Sequence, residues 1–288
     1  MKYRVRHVTS YAYGKPVDLA SHLLHLAPRP LPFQRVLDSA ITVVPEPSLL
    51  HHGADHFGNR VAWVFLDQPH ERFVVTMRAQ VEVEFPTPPE ESIPWEAVVA
   101  AAKAGGALAW EAAEFCFDSP MAAAHAGAGA YLAPSFSPGR PVKDALVEAM
   151  GRIRRDFAFK SGVTSVHTPV SKVLALRAGV CQDFSHLMIA GLRCLGLPAR
   201  YVSGYIRTKP PPGSKPRIGA DQSHAWVGAW LGPGAGWIDL DPTNDLVVHD
   251  EHVVLAWGRD YGDISPVRGI LLGGGKHTVE AGVDLEPV

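Results

Sequence analysis

Three residues of this 288-residue chain have the types and the order needed for thiol-based acyl chemistry: Cys181, His224 and Asp241. Cys181 stands two positions after Gly179. Behind it Phe184, Leu187, Met188, Gly191, Leu192 and Leu195 recur at three- and four-residue steps. That spacing predicts a buried helix, closed by Gly196 and Pro198. A cysteine in its first turn meets unpaired backbone N–H groups and the positive end of the macrodipole, and both favour an anion. The thiolate is the reactive form of cysteine, and the same N–H groups can receive a developing oxyanion. Taken alone, a free cysteine is more often a small buried hydrophobe, so the case depends on its partners.

Those partners fall on a predicted hairpin. Ser223 to Trp230 and Trp237 to Thr243 flank a Gly- and Pro-containing loop, Leu231 to Gly236. With Trp230 opposite Trp237, Trp226 falls opposite Asp241. His224 and Asp241 then become diagonal neighbours on one face, roughly 7–8 Å apart between backbones. A carboxylate there would fix the imidazole tautomer and support its charged form. The imidazole could take the thiol proton and return it to a leaving amine. Asp239 has the same parity and competes for the role, but it lies further from His224 in this register. A slip of one residue would put the two side chains on opposite faces.

The elements that must position these residues fall into an α+β chain. Residues 1–85 read as short strands in an antiparallel, sandwich-like β-domain: Tyr3 to Val8, Val36 to Val44, Arg60 to Phe65, Phe73 to Arg78 and Ala79 to Phe85. Pro86-Thr87-Pro88-Pro89 is a stiff linker. Residues 90–262 read as a core with a helical lead-in: a helix from Pro94 to Lys103, Ala-rich helical pieces over 107–132, a helix opened by Pro141, and a short one from Ser171 to Ala178. Strands follow from Arg200 to Arg207, around His224 and Asp241, and from Val253 to Trp257, with a loop at Pro210-Pro211-Pro212-Gly213. Residues 263–288 form a last strand pair around Gly273-Gly274-Gly275, expected to pack back on the β-domain.

Composition narrows the partners. The net charge is −2 and no stretch is strongly basic, so we expect no nucleic acid and no anionic membrane surface. No apolar run is long enough to span a bilayer, and the opening Met-Lys-Tyr-Arg-Val-Arg-His lacks the apolar region of a secretory signal. Three widely spaced cysteines, Cys116, Cys181 and Cys194, argue against a disulfide framework. Together these lead us to expect a cytoplasmic protein. His51, His52 and His56 cluster, but Gly53 and Gly58 favour a turn there over a ligating helix, and no metal is expected. His22 and His25 have opposite parity in an extended segment. Gly273-Gly274-Gly275-Lys276 is followed by His277 rather than Ser or Thr, so it is no phosphate loop.

Four separated blocks resemble the bacterial transglutaminase-like superfamily: Gly179-Val180-Cys181-Gln182-Asp183-Phe184, Leu195 to Tyr205, His224-Ala225-Trp226-Val227, and Trp237 to Thr243. Asp55-His56-Phe57-Gly58-Asn59 resembles the β-domain that often precedes this core. The resemblance implies a papain-like or transglutaminase-like core, helices packed on an antiparallel sheet. It implies Cys181 as nucleophile, His224 as base, Asp241 as orienting carboxylate and a thioester intermediate without a cofactor. Gln182 is a candidate substrate-binding donor. The expected activity is hydrolysis of an amide or peptide bond in a peptide or protein. Acyl transfer to an amine is the alternative within the same chemistry, and a non-catalytic binding module is the alternative outside it.

Overall fold

The computed structural model describes residues 1–106, 109–208 and 222–288. In chain order the strands are β1 (Lys2–Leu24), β2 (Gln34–Val44), β3 (Leu49–Ala54), β4 (Arg60–Leu66) and β5 (His70–Val83). Then come helices α1 (Trp95–Ala104), α2 (Trp110–Glu114), α3 (Ala126–Leu132) and α4 (Val142–Asp156), strand β6 (Ala158–Phe159), α5 (Val170–Leu176), β7 (Ala178–Gly179) and α6 (Cys181–Cys194). The chain closes with β8 (Ala199–Ile206), β9 (Gln222–Trp230), β10 (Trp237–Asp241), β11 (Leu246–Val247), β12 (His252–Gly258), β13 (Val267–Gly273) and β14 (His277–Pro287). This is an α+β architecture. A curled antiparallel sheet at the N-terminus adjoins a second antiparallel sheet that carries the helices.

The first sheet runs in the order β2-β5-β1-β4-β3, with β13 and β14 also pairing with β1. Strand β1 is a single 23-residue strand rather than a short one. Alternation is lost at Gly14-Lys15-Pro16, yet the strand continues through an irregularity between Ala12 and Val17. There Gly14 N and Lys15 N donate to Lys276 O and Gly274 O of the glycine-rich turn. The front half of β1 therefore pairs with β5 and β14, and the back half with β4 and β13. The resulting curl lets His22 from the back half stack on Phe73 of β5, ring centroids 4.2 Å apart. His51 and His52 lie in strand β3, not in a turn; the turn begins at Asp55. The two glycines that suggested a turn serve different ends. Gly53 sits flat against the Trp63 ring, where a Cβ would come within 2.7 Å, and Gly58 alone takes a positive φ of 71°.

The second sheet runs β11-β10-β9-β8-β12, all antiparallel. Helix α6 lies across β8 and β9 with its Phe184, Leu187, Met188 and Leu192 side chains buried. On its other side α3 approaches closely: a Cβ on Gly191 would meet the Leu132 side chain at 2.6 Å, and one on Gly129 would meet Cys194 Sγ at 2.5 Å. The helix expected over Ser171 to Ala178 ends earlier. Arg177 adopts φ 50°, left-handed, and stops it, so Ala178–Gly179 is free to pair in parallel with Ala158–Phe159. The loop expected at Pro210-Pro211-Pro212-Gly213 lies outside the described residues.

Two buried side-chain amides join the sheets. Gln34 of β2 donates to Val254 O and accepts from Val254 N, each at 2.7 Å. Asn59, just before β4, does the same for Trp257, at 2.8 Å to its carbonyl and 2.9 Å from its N–H. Each amide mimics a strand residue and saturates the outer edge of β12, which would otherwise hold unpaired backbone groups away from water. We predict that Gln34→Leu costs about 1–3 kcal/mol, because Val254 N loses its partner while Val254 O keeps the bond from Arg29 N at 3.2 Å, read by urea denaturation. A loss indistinguishable from that of an exposed-site control such as Gln68→Leu would contradict this role.

Candidate active site

The backbone before α6 is built to present Cys181. Val180 is extended, with φ −121° and ψ −179°, and its N–H donates to Asp183 Oδ2 at 2.8 Å. Thr164 Oγ1 donates to the same oxygen at 2.7 Å. Gly179 is required by close approach rather than by its φ: a Cβ there would sit 2.6 Å from Asp183 Oδ2. Burial pushes the Asp183 carboxyl up, against the two hydrogen bonds that draw it down. The result fixes the first turn and leaves Cys181 half-buried at its mouth. Gln182, the next residue, donates its side-chain amide to Val166 O at 2.9 Å, which ties the 159–168 segment to the helix start.

His224 lies on β9 opposite Gly204 of β8. The hairpin has the register Trp230↔Trp237 through Val227↔Leu240, so Asp241 follows diagonally from His224. The two side chains meet in a 2.7 Å contact between His224 Nε2 and Asp241 Oδ2. Asp239 makes the same diagonal step one pair earlier and is taken by Trp226, whose Nε1–H donates to it at 3.0 Å, with Arg200 at 3.9 Å. Sheet parity alone could not separate the two carboxylates; the diagonal does. Gly204 makes room for this arrangement, since a Cβ there would meet Trp226 at 2.3 Å and Val253 O at 2.2 Å.

Asp241 is fully buried and saturated with donors. Its Oδ1 accepts from Thr243 N at 2.9 Å and Asn244 N at 3.2 Å, and its Oδ2 accepts from Asn244 Nδ2 at 2.7 Å. Burial would raise its pKa, but the hydrogen bond from His224, the nearby His252 ring, the His224 charge and the hydrogen bond from Asn244 hold it well below the ordinary carboxylate range. For His224, burial acts to lower the pKa. Hydrogen bonding to Asp241 and to Cys181, and the charges of both, outweigh it and raise the imidazole to about 10. Because Nε2 is committed to Asp241, Nδ1 is the ring nitrogen left for Cys181.

Two residues of this network escaped sequence reasoning. Asn244 completes an Asx-type turn, Asp241-Pro242-Thr243-Asn244, whose signal was present in the chain. His252 had none, because it arrives from β12, beyond β8. Its ring is fully buried, its Nδ1 lies 3.3 Å from the His249 carbonyl, and its Nε2 lies 3.6 Å from Asp241 Oδ2 with no hydrogen-bond partner. His224, Asp241 and His252 bring ligating atoms within 4.8 Å of one another. The short His224–Asp241 hydrogen bond, however, puts a proton where an ion would sit. The earlier histidine cluster does not assemble: His51 and His52 are consecutive in β3 and face opposite ways, and His56 contacts Glu114 at 2.8 Å.

Residues 3–82 match the bacterial transglutaminase-like N-terminal region, and residues 131–242 match the transglutaminase-like superfamily. An uncharacterized Mycobacterium tuberculosis protein is 38% identical over 99% of this chain and 93% of its own length. A Pseudomonas aeruginosa protein-glutamine gamma-glutamyltransferase is 38% identical over 68 residues, 23% of this chain and 10% of that enzyme. A solved structure of a candidate cysteine protease from Cytophaga hutchinsonii shares the fold. Its TM-score is 0.75 at 20% identity, covering 99% of this chain and 90% of that one. No described helix is long and apolar enough to cross a membrane. The chain therefore belongs to the transglutaminase-like superfamily, with a bacterial transglutaminase-like N-terminal region preceding the core.

Proposed function

We propose that the protein is a thiol-dependent hydrolase of amide or peptide bonds, with Cys181 as nucleophile, His224 as general acid and base, and Asp241 as the orienting carboxylate. One observation carries this reading: a buried imidazole bonded at 2.7 Å to a fully buried carboxylate, with Cys181 among the groups that raise its pKa. His224 takes the Cys181 proton, and the sulfur attacks the substrate carbonyl to form a C–S bond. The C–N bond then breaks as the imidazolium gives its proton to the leaving amine. Water, deprotonated by His224, attacks the thioester, the C–S bond breaks and the acid leaves. First-turn N–H groups of α6 receive the oxyanion. Gln182 shapes the acyl side of the site by holding the Val166 backbone. The residues supply nucleophile, base and oxyanion donors among themselves. All three cysteines are free, which suits a reducing compartment such as the cytoplasm.

A second reading keeps the same acyl-enzyme and replaces water with an amine. It draws support from the short match to the Pseudomonas enzyme. Incorporation of a fluorescent primary amine into a glutamine-bearing protein, at a rate exceeding hydrolysis, would favour it. Hydrolysis without any amine product would remove it.

Selective alkylation tests the shared chemistry. We expect iodoacetamide near neutral pH to modify Cys181 well before exposed Cys194 and before Cys116, whose thiol burial pushes up. His224→Ala should slow amide turnover by about 10²–10⁴-fold. Equal labelling of Cys181 and Cys194, read by peptide mass spectrometry, would defeat the thiol-enzyme reading.

Stability should carry the signature of the same pair. The folded protein holds the His224 proton more tightly than the unfolded chain, in which the pKa is the ordinary 6.5. That contribution is fully present below about pH 6.5 and is lost as pH rises through about 10. The Asp241 contribution runs the other way: present above its ordinary 3.8, lost as pH falls. The stability gap between the native protein and His224→Ala should therefore narrow between pH 7 and 10 in urea titrations. A gap that widens over that interval would contradict the assignment.

A further inference from the structure

We propose that the segment around residues 159–167 forms an apolar wall of the acyl site, so that the preferred substrate carries an uncharged hydrophobic side chain next to its scissile carbonyl. The proposal rests on the thiol-hydrolase reading above. Its starting point is an apparent waste of apolar surface. Phe159, Val163 and Val166 are 51%, 42% and 43% exposed, all within one short segment. Single exposed apolar residues need no explanation, but several grouped beside a nucleophile point to a ligand.

The segment is fastened to the mouth of α6 at three points. Phe159 pairs in parallel with Gly179, two residues before Cys181, and Lys160 N donates to Gly179 O at 2.9 Å. Thr164 Oγ1 donates to Asp183 Oδ2 at 2.7 Å, and Gln182 donates to Val166 O at 2.9 Å. These bonds hold the backbone of an otherwise surface loop in a fixed place against the first turn. They use its polar groups inward and leave its apolar side chains facing solvent. A substrate whose carbonyl sits at Cys181 would lay its adjoining side chain on those groups and remove them from water.

Charge sharpens the preference. Residues 157–182 carry Lys160, Lys172 and Arg177, all exposed, while the adjoining Asp183 is buried and bonded to Val180 N and Thr164 Oγ1, so a cationic side chain laid on this wall would lose water without an exposed carboxylate in the segment to replace it. The wall therefore favours apolar groups and disfavours basic ones.

The test uses one warhead with three tails: iodoacetamide, N-benzyl iodoacetamide and N-(2-aminoethyl) iodoacetamide, with Cys181 and Cys194 labelling read separately by mass spectrometry. At Cys181, corrected for the intrinsic rates seen at Cys194, the benzyl reagent should outpace the parent by about ten-fold, and the aminoethyl reagent should lag. Phe159→Ser and Val166→Ser should each erode the benzyl-to-parent ratio, whereas Ile270→Ser, an exposed apolar site on β13, should leave it in place. Circular dichroism checks that each variant is folded; because these side chains are exposed, their loss leaves the core intact. Preferential Cys181 labelling by the parent reagent with no benzyl preference would overturn the wall and spare the thiol-enzyme reading. Parent labelling equal at Cys181 and Cys194 would overturn both.

Discussion

A single buried hydrogen bond, His224 to Asp241 at 2.7 Å, governs how the rest of this molecule must be built. A carboxylate with no solvent access is costly unless donors surround it. Here three further donors from Thr243 and Asn244 do so, and they exist only because the chain turns sharply after Asp241. The imidazole is costly to charge in the same place. The carboxylate and the Cys181 sulfur together reverse that cost. Removing either one changes what the other can do, which is the physical meaning of the three residues acting as a unit.

The demands of that bond spread outward through glycine and edge control. Gly204 leaves space for Trp226, which in turn occupies Asp239 and keeps it from His224. Gly179 leaves space for Asp183, which fixes the first turn of α6 and with it Cys181. The outer strand β12 brings His252 against Asp241, and its far edge is closed by Gln34 and Asn59 of the other sheet. The N-terminal sheet thus contributes directly to the surroundings of the site, through amides that stand in for a missing strand.

Much of this was legible in the chain. The helix behind Cys181 follows from apolar spacing, and the hairpin register follows from two tryptophans flanking a Gly/Pro loop. Both rest on local, periodic signals. The α+β architecture and the family follow from the same blocks. What was not legible is non-local or depends on one backbone angle. His252 reaches Asp241 only through the pairing of β12 with β8, which no local pattern announces. The end of α5 at Leu176 depends on Arg177 taking a left-handed conformation that its side chain does not advertise. The length of β1 was hidden by Gly14 and Pro16, which read as a break but form a bulge held by the glycine turn near Lys276. The bond between Gln182 and Val166 joins two segments that sequence reading had treated as unrelated.

The central claim is that Cys181 and Asp241 jointly hold a proton on His224, and titration of the His224 ring by ¹⁵N NMR tests it most directly. In the native protein the imidazolium should persist well above the ordinary histidine range, and it should titrate at clearly lower pH once Cys181 is replaced by alanine. Identical titration of His224 with and without the Cys181 sulfur would contradict it.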